Sequence, residues 1–260
     1  MPPITSPQNQ YVKLFRSLAT AKGRREHSLF AIEGAHLVEE MIAAGGRAQV
    51  GYVCPELFKD PTPARRLKKH ADLMVEVAAS VFKEMSDTVT PQGIAAAVAI
   101  PRQGLETLPT GPGVVLAVHE VRDPGNMGTM IRTADAAGAL GVLAVGDCVD
   151  FTSPKVVRAA AGAVFHLPLV AVTEDELLAW ADATGTALVA TVVQDGTPLP
   201  AAALPERCAV LIGSEAHGLP EALLTACGVR VTIPMPGRAE SLNAAIAAGI
   251  LLYEYNRQRC

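Results

Sequence analysis

Short continuous apolar runs alternate with stretches of helical spacing along the chain. In the N-terminal part LFAIEG, QVGYVC, LMVEVA and IAAAVAI read as buried strands, and AHLVEEMIAAG reads as a helix among them. From Pro101 to Gly113 the text is PRQGLETLPTGPG, rich in helix breakers and without an apolar period. This predicts a small α/β domain over 1–101, a linker over 102–112 and a second domain over 113–260. In that second domain VVLAVHEV, GVLAVGD, VFHLPLV, ALVATVV, CAVLIGS and VRVTIPM read as strands, with helical segments in most gaps. Apolar runs alternating with helices imply an α/β fold with a largely parallel sheet covered on both faces.

Two helices are read in more detail. One begins near Gly128, puts Met130, Ile131, Ala134 and Ala137 on one side, and stops around Gly138. The last takes Ser241 as its N-cap and aligns Leu242, Ala245, Ile246, Gly249, Ile250 and Tyr253. Its small residues suit close packing against a strand or a second subunit.

With 260 residues, half of them apolar, the chain can bury a substantial core. No apolar run is long enough to cross a bilayer, and the opening MPPITSPQNQYVKLF lacks the basic-then-apolar layout of a secretory signal. A cytoplasmic location without membrane attachment is expected. Cys54, Cys148, Cys208, Cys227 and Cys260 form no CxxC pair and have no histidine at ligand spacing, so neither structural zinc nor disulfides are expected.

A net charge of −4 argues against a strongly basic nucleic-acid binder, yet the charge is uneven. Residues 1–100 balance at +2 and the remainder at −6. Lys13, Arg16, Lys22, Arg24 and Arg25 precede the first acid, and ARRLKKH supplies Arg65, Arg66, Lys68 and Lys69. Such runs make phosphate binding possible without establishing it.

In α/β sheets ligands collect beyond the carboxyl ends of the strands. Three of those ends stand out: RDPGNMGTMIR, GSEAHGLP (213–220) and IPMPGRAESLN (233–243). Each combines glycine or proline, which set an unusual backbone path, with a few polar side chains. Converging, they would form a pocket built from main-chain hydrogen bonds, suited to a nucleoside-like ligand. The dinucleotide fingerprint GxGxxG, the phosphate-binding GxxxxGK[ST] and the hydrolase elbow GxSxG are all missing here.

In order and spacing these segments resemble the three motifs of the SpoU (TrmH-like) family of RNA 2′-O-ribose methyltransferases, of the SPOUT class. Asn126, Gly128 and Arg132 match motif 1, Gly213 and Glu215 match motif 2, and IPMPGRAESLNAAIAAGI matches motif 3. The N-terminal stretch NQYVKLFRSLATAKGRREHSLFAIEGAHLVEEMIAAG is similar to the family's substrate-binding domain.

The resemblance implies a catalytic domain with a deep trefoil knot, a homodimer, and S-adenosylmethionine as methyl donor. It implies donor contacts around Ile212, Gly213, Ile233, Met235, Ser241 and Leu242. Asn126, Arg132, Glu215, Ser241 and Asn243 form the implied catalytic set, with Glu215 holding a cation or the motif 2 loop. The substrate is structured RNA, with rRNA favoured over tRNA, and no metal is needed.

Arg24, Arg25, Arg122 and Arg238 are candidates for RNA phosphate contact, while His119 and His217 stand outside the catalytic set. The alternative is a non-catalytic RNA-binding protein that keeps the fold. A nucleotide-dependent oxidoreductase suffers from the missing fingerprint.

Overall fold

A computed structural model describes residues 2–101, 103–214 and 217–259. The chain divides into two compact units, Met1–Arg102 with Asp150–His166, and Gln103–Val149 with Leu167–Cys260.

The first unit runs α1 (Gln10–Ser17), α2 (Ala21–His27), β1 (Leu29–Glu33), α3 (Ala35–Ala43), β2 (Ala48–Val53), α4 (Thr62–Lys69), β3 (Ala71–Glu76), α5 (Ala79–Met85) and β4 (Ile94–Ala99). Its sheet has the order β1-β4-β2-β3, antiparallel except for β2 with β3. The alternation of strands is visible in the core, where Val50 and Tyr52 of β2 meet Ala95 and Ala97 of β4 under Phe15 of α1 and Phe82 of α5.

The second unit runs β5 (Gly113–His119), α6 (Pro124–Ala136) and β6 (Gly141–Val145). The chain then forms α7 (Pro154–Ala160), which belongs to the first unit. The second unit resumes with β7 (Leu169–Val172), α8 (Glu174–Thr184), β8 (Ala187–Thr191), β9 (Thr197–Pro198), β10 (Arg207–Ile212), α9 (Glu221–Ala226), β11 (Val229–Thr232) and α10 (Ala244–Arg257). Its strands lie in the order β7-β6-β5-β10-β8-β11-β9, and every pairing is parallel.

The continuous apolar strands are explained by burial on both faces. Val115 and Ala117 of β5 join Leu177 and Trp180 of α8 and Leu223 of α9 in one core layer. The alternate residues Val114, Leu116 and Val118 are buried as well, on the side that α10 packs against. A parallel sheet brings all its carboxyl ends to one edge, and that edge carries the three loops.

The breaker-rich stretch before β5 is partly structured. Leu105–Thr107 forms one 3-10 turn, and Leu108 is buried in the core of the second unit. VFHLPLV is not one strand: Ala161 and Gly162 are left-handed, Ala163–Phe165 is a 3-10 turn, and pairing starts only after Pro168, at Leu169.

Both helices read in detail start elsewhere. Asp123 caps α6 by accepting from the Asn126 amide at 2.7 Å, and Pro124 occupies the first helical position, so the helix starts before Gly128. Asn243, not Ser241, caps α10, accepting from the amides of Ala245 and Ile246.

No helix among the described residues is long and apolar enough to cross a membrane. Cys54, Cys208 and Cys227 are buried and Cys148 is half-buried; Cys260 lies outside the described residues.

Candidate active site

Each of the three loops is shaped locally before it contributes to the site. After β5, Glu120 takes a left-handed conformation at φ 50° and Asp123 caps α6, which brings Asn126 to the first turn of the helix. After β10, Ser214 and Gly218 pair back to back, Ser214 donating to the Gly218 carbonyl at 3.1 Å and accepting in return at 2.9 Å. Glu215 lies outside the described residues. A Cβ on Gly213 would sit 2.2 Å from the Gly218 carbonyl carbon, so that position has no room for a side chain, while Gly218 has open space but a left-handed backbone at φ 67° that favours glycine. After β11 an irregular segment leads to Asn243.

The first and third loops meet directly. The Asn243 Nδ2 donates to Asn126 Oδ1 at 2.9 Å, while Asn243 Oδ1 caps α10. Beside this bridge lie two adjoining hollows. The larger, about 380 Å³, brings together Ile212, Gly213, Ile233, Met235, Ser241 and Leu242. The smaller, about 250 Å³, is lined by Arg122, Asp123 and Asn126, and both share Ser214, His217 and Ala244.

Sequence reasoning missed a fourth contribution, from the end of β8, where Thr191, Val192 and Val193 form part of the larger hollow. The signal was present: the apolar run ALVATVV overshoots the strand, leaving Val193 54% exposed at the sheet's carboxyl edge. Thr191 Oγ1 is buried and has no hydrogen-bond partner among the described residues. His217, expected outside the catalytic set, lines both hollows.

His119, by contrast, is buried at the end of β5, its Nε2 2.9 Å from Glu174 Oε1, and lines neither hollow.

The arginines separate. Arg132 is exposed on α6 and borders neither hollow. Arg122 is on the surface, 3.1 Å from Asp147, a pair of little energetic weight. Arg238 and Arg25 are exposed.

Arg24 corrects the expectation of an RNA phosphate contact. Only 3% exposed, it donates through Nε and Nη2 to Asp150 and through Nη1 to the carbonyls of Leu18 and Ala19. Its guanidinium is committed inside the first unit. Burial by itself would raise the Asp150 carboxyl, but bonds from Thr152 and Arg24 outweigh it and hold the group below the ordinary carboxylate range.

Among the described residues no group of three or more His, Cys, Asp or Glu is arranged to hold a metal ion.

With this geometry established, known proteins supply the assignment. The family described as SpoU rRNA Methylase matches residues 113–253. The chain belongs to the SpoU methylase family. Residues 9–96 match the MRM3-like substrate binding domain.

Among SpoU relatives, the 23S rRNA (guanosine(2553)-2′-O)-methyltransferase RlmP of Bacillus subtilis is 36% identical over 256 residues, covering 97% of this chain and 98% of its own. The crystal structure of an AdoMet-bound rRNA methyltransferase from Sinorhizobium meliloti superposes with a TM-score of 0.90 at 33% identity, covering 99% of this chain and 98% of the other. The SpoU methyltransferase AviRb of Streptomyces viridochromogenes, in complex with AdoMet, gives a TM-score of 0.88 at 29% identity, covering 97% and 98%.

Proposed function

We propose that this SpoU protein transfers a methyl group from S-adenosylmethionine to a ribose 2′-hydroxyl of ribosomal RNA in the cytoplasm. The observation that carries the reading is the larger hollow, where residues from three loops of the sheet's carboxyl edge converge. Its volume of about 380 Å³ suits a small organic ligand. Apolar walls from Ile212, Val192 and Leu242, together with the orphaned Thr191 hydroxyl, fit a folded nucleoside with a few polar groups. Ile212, Gly213, Ile233, Met235, Ser241 and Leu242 would hold the methyl donor. When bound, it supplies an activated methyl group on a sulfonium that needs no metal or covalent intermediate.

The chain's own residues then have an alignment problem to solve. The ribose enters the smaller hollow, where Asn126, fixed by Asn243, orients it, and Arg122 lies within reach of a phosphate. The Arg132 side chain carries a planar fork of N–H donors and no acceptor, which suits phosphate binding and not proton abstraction. It therefore binds the adjacent phosphate and orients the 2′-hydroxyl instead of acting as the base. Arg25 and Arg238 add phosphate contacts from exposed positions.

Homodimerisation belongs to the same reading. α10 leaves Ile246 54%, Ile250 37% and Tyr253 71% exposed, a stripe at helical spacing that a second copy would cover. α6, the helix of Arg132, packs on α10, with the Thr133 methyl 3.5 Å from where a Gly249 side chain would begin. A dimer through this surface would bring Arg132 toward the partner's hollow. The deep trefoil knot is proposed on similar grounds: β11 returns beside β8 after β10 has paired with β8 and β5.

Incubation with unmethylated rRNA and S-adenosylmethionine, followed by mass-spectrometric mapping of ribose methylation, tests the reading. A new 2′-O-methyl nucleotide is expected. Absence of methyl-donor binding up to millimolar concentration would instead favour the RNA-binding alternative.

A further inference from the structure

The run ARRLKKH forms the exposed side of α4 in the first unit. Its single buried residue is Leu67. Arg66 is committed to Glu39 of α3, but Arg65, Lys68 and Lys69 are exposed and form no ion pair among the described residues.

Cations in the last turn of a helix do complement its dipole, and that alone would explain Lys68 and Lys69. It does not explain the surface they frame. Arg65 and Lys68 border a hollow of about 410 Å³ whose other walls include Phe58, Met74 and Glu76. A neighbouring hollow of about 530 Å³ shares Phe58 and Ala64 with it and adds Lys59, Pro91 and Gln92. Half-buried Phe58 thus lies between two hollows, with cations on both sides. Val89, in the loop that leads to Pro91, is fully exposed.

The acids are fewer. Asp60, which accepts from the Thr62 amide, lines the neighbouring hollow and interacts with Arg65, and Glu76 lines the same hollow as Arg65 and Lys68, so two carboxylates stand against three cations. In a chain of net charge −4, three cations around an aromatic side chain make a local field suited to a polyanion with flat apolar groups.

We infer that the face formed by Arg65, Lys68, Lys59 and Phe58 binds a single-stranded stretch of the substrate RNA, bases against Phe58 and phosphates on the cations. Base stacking tolerates sequence differences, and the phosphate contacts make the affinity depend on salt. The inference rests on RNA being the substrate, as proposed above, and assigns this face of the first unit the task of holding RNA outside the reacting nucleotide.

The test compares the intact protein with R65Q/K68Q and F58L, using a short oligouridylate, a naked large-subunit rRNA transcript and assembled large ribosomal subunits. Melting temperature confirms folding, and methyl-donor affinity, a property of the second unit, is expected to stay unchanged. R65Q/K68Q should weaken oligouridylate and transcript binding by about tenfold and lower the salt slope by about 1.4, the value for two lost single-strand phosphate contacts. F58L should weaken binding by a similar factor while leaving the slope intact.

Equal affinity and slope in the double variant, or no oligouridylate binding by the intact protein, overturns the inference. Loss seen only with assembled subunits would assign the face to a ribosomal protein and also overturns it. Oligouridylate binding without ribose methylation of any rRNA would sink the proposed activity and leave this face standing.

Discussion

Asn243 holds two loops with one side chain: its Oδ1 caps α10, and its Nδ2 donates to Asn126 Oδ1 at 2.9 Å. Stability and alignment are therefore separable at this position. Asn243→Ala loses both roles and is expected to cost about 1 kcal/mol in unfolding, the usual value of an N-cap. Asn243→Asp keeps the cap and removes the amide donor, so its melting temperature should hold while methyl transfer falls. Equal losses of transfer and stability in the aspartate variant would show that the bridge to Asn126 has no part in alignment.

Arg132→Ala should reduce transfer by roughly a hundredfold or more, the scale of a lost positioning contact, with methyl-donor affinity within a few fold. Single-turnover assays beside calorimetry separate the two. Unchanged turnover would remove Arg132 from the site.

Ile250→Asp puts a charge into the exposed stripe of α10. Sedimentation velocity should show the dimer converted to monomer. A monomeric parent protein would refute the dimer at once.

Arg24 and Asp150 give a prediction for stability. Arg24→Met should cost roughly 2 kcal/mol near neutrality, below the about 3–5 kcal/mol of fully buried pairs, because the Asp150 side chain keeps 42% of its exposure. The folded Asp150 carboxyl titrates below its unfolded value. Its contribution is thus complete above about pH 4 and is lost as pH falls through the lower, folded value. Denaturant midpoints across that range should fall less steeply in the variant.

Burial pushes the Cys208 and Cys227 thiols up to about 11, against smaller opposing effects of Arg259 and Arg230. Thiolate is scarce at pH 8, so labelling of these two should be slow in the folded protein and fast in denaturant. Rapid native labelling would mean that the sheet around β10 opens.

The strands and the convergence of the three motif loops were legible because doubly buried parallel strands leave unbroken apolar runs, and such strands end on one edge. Helix starts were less legible. Asp123 starts α6 ahead of Gly128, and Asn243 caps α10 in place of the earlier Ser241, both through side-chain bonds that spacing does not reveal. Arg24 and Arg25 are neighbours in a basic run, yet one faces Asp150, 126 positions away, and the other faces solvent. Only tertiary structure separates them. The contribution of Thr191 was hidden for a similar reason, because a threonine within an apolar strand looks like ordinary β filling until its hydroxyl is found buried without a partner.

The grouping of residues 150–166 with the first unit has a consequence for biosynthesis. Arg24 waits for Asp150, and the apolar side of β1 waits for α7, so the N-terminal body stays unfinished until well over half of the polypeptide has been translated. A truncation just after Ala99 would deprive it of both, and that fragment should be aggregation-prone.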